Sequence, residues 1–458
     1  MQMKTRVRWI VALAVLWLAL GAAGQEPGYG LREIFVPQTS EFTQYHPGSG
    51  PGQFDLSPDG KTVAVEFVTQ EADKTFGVWV ALWDVRTGQL VGEKQVERDI
   101  PTVISQPVRP GPSVRFPDPW YMEGVRFSPD GHMLLVLTGP RLVAVSVPDL
   151  KILYAIEDRV RQGNGTKGTY IKDPTDPQEL QAALREDDRT KGEYIEGFAM
   201  ATDRLAILEQ TSHEAVGLIS LQPSLKVLIV ALDGGGVLSQ WTRPGLSHSI
   251  ALSPDGKLLA LTASPHPWGY GHVRTGENDV FVLDADSGQV VKAFSSGYVP
   301  SDAQFLPGGT ELVTTPFAAK KASQATVKVW NLKTGELERQ LTYPKYGVRG
   351  DTSISANGKW VAATDLWIDP MDLKFDRDNP RGYARLLLWN LSSGKLEYDS
   401  GNLGPEYVIG GSPISMTVGE WGPQILVRMS ASGDRLAVGG KIISVRSLEA
   451  VPSKMPAR

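Results

Sequence analysis

Ile250-Ala251-Leu252-Ser253-Pro254-Asp255-Gly256-Lys257-Leu258-Leu259-Ala260-Leu261 places a Ser-Pro-Asp-Gly tetrapeptide between two apolar runs of strand length. Pro presets φ near about −65°, Asp suits the next position and Gly supplies a left-handed residue, so the stretch reads as strand, tight turn, strand. The tetrapeptide recurs at Ser57-Pro58-Asp59-Gly60 and Ser128-Pro129-Asp130-Gly131. Degenerate copies stand at Leu306-Pro307-Gly308-Gly309, Ser355-Ala356-Asn357-Gly358 and Ser430-Ala431-Ser432-Gly433.

A second marker follows the clearest copies: Trp83-Asp84-Val85-Arg86-Thr87-Gly88, Trp330-Asn331-Leu332-Lys333-Thr334-Gly335, Trp389-Asn390-Leu391-Ser392-Ser393-Gly394 and, less closely, Leu283-Asp284-Ala285-Asp286-Ser287-Gly288. Each ends one strand and opens another hairpin. One unit therefore reads strand a, short turn, strand b, loop, strand c, short turn, strand d. Aligning Glu123-Gly124-Val125-Arg126-Phe127 with Glu196-Gly197-Phe198-Ala199-Met200 reveals a hidden unit with its turn at Ala201 to Arg204. Its later strands are expected at Leu205–Leu208, Ala215–Leu221 and Leu225–Leu232. The turn markers then fall at 60, 131, 204, 256, 309, 358 and 433, which makes seven units.

These markers make the chain resemble WD-repeat-like and YVTN-type bacterial proteins. The resemblance implies an all-β fold, a seven-bladed β-propeller of four-stranded antiparallel blades. The Gly-His dipeptide of true WD repeats is absent, and only Trp83-Asp84 is a literal Trp-Asp pair. Burial argues the same way. Val78-Trp79-Val80-Ala81-Leu82, Val280-Phe281-Val282-Leu283 and Leu386-Leu387-Leu388-Trp389 are apolar on both faces, which radial stacking buries and a lone sheet would leave half wet. A β-sandwich, the alternative, calls for alternating apolar and polar residues.

The seventh unit offers strands at Ile425–Met429, Arg435–Val438 and Lys441–Leu448, after which Pro452 and Pro456 oppose a fourth. Leu31 to Val36 is expected to supply that missing outer strand. Residues 25–458 thus read as one propeller domain.

Residues 1–24 read as a signal peptide: Lys4, Arg6 and Arg8, an apolar run from Trp9 to Leu20, then Ala22-Ala23-Gly24. An uncleaved anchor is the other reading. No later run is apolar enough to span a membrane, so the mature chain is expected outside the cytoplasm, periplasmic or extracellular. Of 458 residues, 41% are hydrophobic and 21% charged, which suits a packed core rather than a disordered chain. A net charge of −5 without a basic run argues against nucleic acid. The absence of cysteine excludes disulfides, thiolate metal sites and cysteine nucleophiles.

With 458 residues less a 24-residue leader, seven units average 62 residues, against about 40–45 for a blade of this kind. The excess falls in the b–c and d–a connections, at 99–122, 157–195, 263–279, 315–326, 364–383 and 403–423. In a meander these emerge on one face, where a rigid scaffold commonly carries binding loops. Asp176-Pro177-Gln178-Glu179 predicts one short helix within the largest insertion. Aromatics gather in the connections: Phe116, Trp120, Tyr121, Trp268, Tyr270, Trp367, Tyr407 and Trp421.

The residue eight positions before each turn marker lies where strand a enters the channel: Gly52, Glu123, Glu196, His248, Ser301, Gly350 and Ile425. Asp302 and Asp351 follow one position later in units five and six. Facing carboxylates raise one another's pKa or recruit Ca²⁺ or Mg²⁺; the competing reading is a hydrated rim. His266-Pro267-Trp268-Gly269-Tyr270-Gly271-His272 could hold a metal or stack on a flat ligand, or simply anchor a surface loop. The run Asp369, Asp372, Asp376 and Asp378 misses the calcium-loop spacing. Gly-x-Ser-x-Gly, P-loop and His-Glu-x-x-His motifs are absent.

Two functions remain. One is a non-enzymatic, cofactor-free monomer that presents its loop face to a protein, peptide or glycan. The other, implied by resemblance to YVTN-type lactonases, is a hydrolase whose channel-mouth carboxylates hold a divalent cation.

Overall fold

In the computed structural model, the described residues are 28–35, 50–70, 75–105, 114–117, 124–138, 141–157, 192–212, 224–264, 278–297, 299–318, 326–342, 351–368, 382–401, 403, 425–439 and 443–451. They build seven antiparallel sheets in a ring. Blade one comprises β2 (Gly50–Leu56), β3 (Thr62–Gln70), β4 (Thr75–Asp84) and β5 (Leu90–Ser105), with β6 (Val114–Pro117) added. Blade two is β7 (Gly124–Phe127), β8 (Met133–Leu137), β9 (Arg141–Ser146) and β10 (Ile152–Glu157). Blade three is β11 (Gly192–Met200), β12 (Arg204–Ser212), β13 (Ser224–Ala231) and β14 (Val237–Pro244). Blade four is β15 (Leu246–Leu252), β16 (Leu258–Ser264), β17 (Val280–Asp284) and β18 (Val290–Phe294). Blade five is β19 (Val299–Phe305), β20 (Glu311–Ala318), β21 (Val327–Asn331) and β22 (Leu337–Leu341). Blade six is β23 (Thr352–Ile354), β24 (Trp360–Ile368), β25 (Gly382–Asn390) and β26 (Leu396–Asp399).

Blade seven takes β27 (Leu426–Met429), β28 (Arg435–Gly439) and β29 (Ile443–Val451) from the C-terminal end of the chain and β1 (Gly28–Phe35) from the N-terminal end. β1 pairs antiparallel with β29, from Gly28 opposite Val451 to Phe35 opposite Val445. The ring is thus fastened by backbone hydrogen bonds between segments more than 400 residues apart in sequence. At the inner side of the same seam, the Ala431 amide donates to the Pro58 carbonyl at 2.8 Å.

The core is distributed rather than single. Seven apolar clusters lie one between each pair of neighbouring blades. On β24, Val361 and Ala363 face the cluster shared with blade five, while Trp360 and Ala362 face blade seven. Alternate residues of one strand therefore serve different interfaces, and this is why the strands are apolar on both faces.

The turns owe their shape to their residues. Gly60, Gly131 and Gly256 take φ of +68°, +75° and +70°. In each turn the serine hydroxyl donates to the aspartate: Ser57 to Asp59 at 2.7 Å, Ser128 to Asp130, and Ser253 to Asp255 at 2.7 Å. The same hydroxyl accepts the amide that restarts the next strand, from Thr62, Met133 and Leu258. Asn357 takes the aspartate's role in blade six.

Strand assignments change in several places: β11 begins at Gly192, β20 runs to Ala318 and β24 to Ile368, inside the connections expected at 157–195, 315–326 and 364–383. The connection expected at 99–122 is not all loop: residues 99–105 continue β5, which pairs with β6 as a hairpin extending blade one. In blade three the third strand is β13, and Val237–Pro244 is the fourth. The hidden unit lacks the second marker that would have located its c–d turn, and Gly234-Gly235-Gly236 supplies that turn instead, with Gly235 at φ +69°. The leader, the helix start at Asp176 and the stretch 215–221 lie outside the described residues. Among the described residues no helix is long and apolar enough to cross a membrane.

Candidate functional site: the central channel

The first strand of each blade faces the axis, and successive inner strands touch: β2 with β7, β11 with β15, β15 with β19, β23 with β27, and β27 with β2. They enclose a cavity of about 360 Å³ whose lining includes residues of all seven blades. It extends from the middle of these strands to Pro129, in the a–b turn of blade two. The described lining therefore reaches toward the short-turn end.

Five charged groups meet here. Asp55 on β2, Arg126 on β7, Asp302 on β19 and Arg428 on β27 line the cavity, and Asp351, just before β23, binds Arg428. Blade-to-blade bridges hold them. Asp55 accepts the Leu56 amide at 2.9 Å and, across the interface, the Phe127 amide of blade two at 2.8 Å. Asp351 accepts the Val427 amide of blade seven at 2.9 Å and pairs with the Arg428 guanidinium. Ser353 accepts the Met429 amide at 3.0 Å. Asp302 accepts from the Ala303 amide at 2.8 Å, Gln304 Nε2 at 2.8 Å and Thr352 Oγ1 at 3.3 Å.

Burial sets the electrostatics. It pushes the Asp55 carboxyl above the ordinary carboxylate range, against the pull of Arg126 and Arg428. It also pushes Asp302 up, and the charge of Asp351 adds to the rise. Burial, with the repulsion of Arg428, lowers the Arg126 guanidinium to about 10, which leaves it a cation at neutral pH.

Of the residues expected at the mouth, the structure brings Asp302 and Asp351 together, joined through Thr352, whose hydroxyl donates to Asp302. Glu196 and His248 are described by their backbone alone. Both occupy β-bulges, between Ile195 and Gly197 and between Ser247 and Ser249. The equivalent positions in β2 and β19 also interrupt the register, at Gly52–Gln53 and Ser301. A bulge breaks the period of two along the strand. Glu123, Trp120, Tyr121, Trp268, Tyr270 and Trp421 lie outside the described residues, as do His266, His272 and Tyr407. Trp367 and Phe116 are described by backbone only, in β24 and β6.

Sequence reasoning missed Asp55, Arg126 and Arg428. They sit five positions before their turn markers, where the other blades carry Ala199, Ala251, Gln304 and Ser353. Charged residues inside otherwise apolar strands were the available signal. Among the described residues no three His, Asp or Glu side chains group so as to hold a metal ion.

No family model and no curated protein matches the sequence. Solved structures share the fold. The β-propeller domain of Cps50 (Swd1) from Myceliophteria thermophila aligns with a TM-score of 0.51 and 11% identity, over 92% of this chain and all of that one (100%). Hydrazine synthase from Kuenenia stuttgartiensis gives a TM-score of 0.48 and 13% identity, over 89% of this chain and 96% of that one. A chain of a mitotic checkpoint complex gives 0.47 and 14%, over 86% and 88%. At such identities the likeness speaks to fold, and the fold is that of a WD-repeat-like, seven-bladed propeller.

Proposed function

We propose that the protein is an exported, non-enzymatic binding scaffold that engages a protein, peptide or glycan through the face carrying its long connections. One observation carries this reading: the asymmetry of the connections. The a–b turns are as short as 57–61, 128–132 and 253–257, and are tied off by their own Ser and Asp side chains. The b–c and d–a connections, leaving the opposite end of the same blades, run to 158–191, 265–279, 369–381 and 400–425. Chain length spent on one end of a rigid ring is the usual construction of a binding face.

Two of the described channel carboxylates are already engaged, which supports binding over hydrolysis. A cation-activated hydrolase needs open carboxylate oxygens. Asp351 is bound by Arg428 and an amide, and Asp55 by two amides. A photo-crosslinking residue at Gly163, in the longest connection, should give a discrete adduct in the source cell envelope or medium, and one at Gly234, in a c–d turn, should not. Adducts from both positions, or from neither, would count against the loop face. Export is tested by N-terminal sequencing, which should start at Gln25.

A further inference from the structure

The cavity is chemically two-sided. At the position five before each turn marker, blades five, six, seven, one and two carry Gln304, Ser353, Arg428, Asp55 and Arg126, while blades three and four carry Ala199 and Ala251. Those two small residues line the cavity next to Phe198 and Ile250, both only partly buried and both on the lining. Five blades therefore present polar or charged groups at this level and two present apolar ones.

The cations on the polar side are incompletely used. Among the described residues Arg126 makes one hydrogen bond, to the carbonyl of its own neighbour Val125 at 3.3 Å. Among the described residues no carboxylate lies within 4.0 Å of its guanidinium. Arg428, 6% exposed, pairs with Asp351 but leaves its Nε without a hydrogen-bond acceptor, Asp55 standing 3.9 Å away. A guanidinium presents planar, paired donors that match a carboxylate, and its attraction grows where water is partly excluded.

We propose that this cavity binds a carboxylate carried on an apolar group, with Arg126 as the anion-binding residue and Phe198 and Ile250 as the apolar wall. The three aspartates attract Arg126, Asp55 most, but their hydrogen bonds go elsewhere. Asp351 is spent on Arg428, Asp55 on the Leu56 and Phe127 amides, and Asp302 on Gln304, Thr352 and its neighbouring amide. They hold the ring of inner strands together and fix Arg428, and Arg126 is left facing the cavity. A volume of about 360 Å³ is at the small end of ligand pockets and suits one side chain with its carboxylate. The source can be a free acid or the C-terminus of a peptide. The site is independent of the loop-face reading and stands or falls without it.

The test is calorimetric titration of the full mature chain with 3-phenylpropionate, N-acetylphenylalanine and N-acetylphenylalanine amide. Either acid should bind at least tenfold more tightly than the amide. Preference for N-acetylphenylalanine identifies a peptide C-terminus as the source, and preference for 3-phenylpropionate a free acid. Arg126→Gln should lose at least tenfold for the acid while leaving binding of the amide unchanged, and Arg126→Lys should recover part of that loss. Ala251→Leu should weaken acid and amide alike by filling the apolar side. Equal binding of acid and amide, no binding of either acid at millimolar concentration, or an Arg126→Gln protein that titrates like the parent would each overturn the proposal. The acid–amide comparison on the unmutated chain decides the matter even where a variant fails to fold.

Discussion

Asp351, at the entry to blade six, holds the guanidinium of Arg428 on blade seven and, with the same oxygen, accepts the Val427 amide at 2.9 Å. One carboxylate thereby staples two blades at the channel wall. Arg428 is 6% exposed, so removing its partner strands a buried charge. Asp351→Ala should destabilise by about 3 kcal/mol, the low end of the range for breaking such a pair because Asp55 remains nearby. Replacing both residues, Asp351→Ala with Arg428→Met, should cost less than the sum of the single changes. Denaturant unfolding of the four proteins gives the coupling, and strict additivity would show that the two groups do not interact.

Ring closure depends on β1. Leu31 packs against the cluster between blades six and seven, and Ile34 against the one between blades seven and one. Deleting residues 25–40 should lower the melting temperature sharply and leave the β29 edge open to pair with another chain. Thermal melts and light scattering read both effects. Unchanged cooperative unfolding would refute the closing role.

The c–d turns make a paired test of glycine. Gly288 has φ +68°, and a Cβ there would stand 2.4 Å from Trp241 Cδ2. Trp241 cannot easily yield, because its indole donates to the Ala285 carbonyl at 2.9 Å. Gly288→Ala should cost about 2 kcal/mol or more through backbone strain and the clash. Gly234→Ala, where nothing lies within 4 Å, should be close to neutral. Similar melting temperatures for the two variants would contradict this account.

Asp279 carries a pH dependence. It is 1% exposed and accepts the Ser296 amide at 2.7 Å and the Ser296 hydroxyl at 3.0 Å. Burial pushes its carboxyl up to about 6, although Lys328, which donates to the Ser296 carbonyl, pulls the other way. The folded state then holds its proton more tightly than the unfolded chain. That contribution is complete below the ordinary carboxylate value of 3.8 and is lost as pH rises through about 6. Asp279→Asn should flatten the stability profile between those limits and raise the melting temperature at pH 7 to 8. A variant whose profile parallels the parent would show that another group titrates.

The chain itself determined the architecture, because its causes are local. Gly60, Gly131 and Gly256 have the left-handed φ that their turns demand, and Ser-x-Asp closes each turn within four residues. The two-faced apolarity of β24, split between the clusters with blades five and seven, required a stacked sheet wherever it lay. The nearness of Asp302 and Asp351 to each other follows from the same local rule: each stands at a fixed offset from a turn the residues define. Glu196 and His248 fall at backbone bulges, which the sequence does not mark. Reading by offsets failed in blade one, where β5 runs on to pair with β6. Which charges meet was decided by the ring alone. Asp55 and Phe127 lie 72 positions apart and Asp351 and Arg428 lie 77 apart, so only the stacking of blades brings carboxylate to amide and to guanidinium. Arg126 lines the channel among three carboxylates that attract it but hydrogen-bond elsewhere, an outcome set by distances in three dimensions and by burial, neither of which is a property of any short stretch of chain.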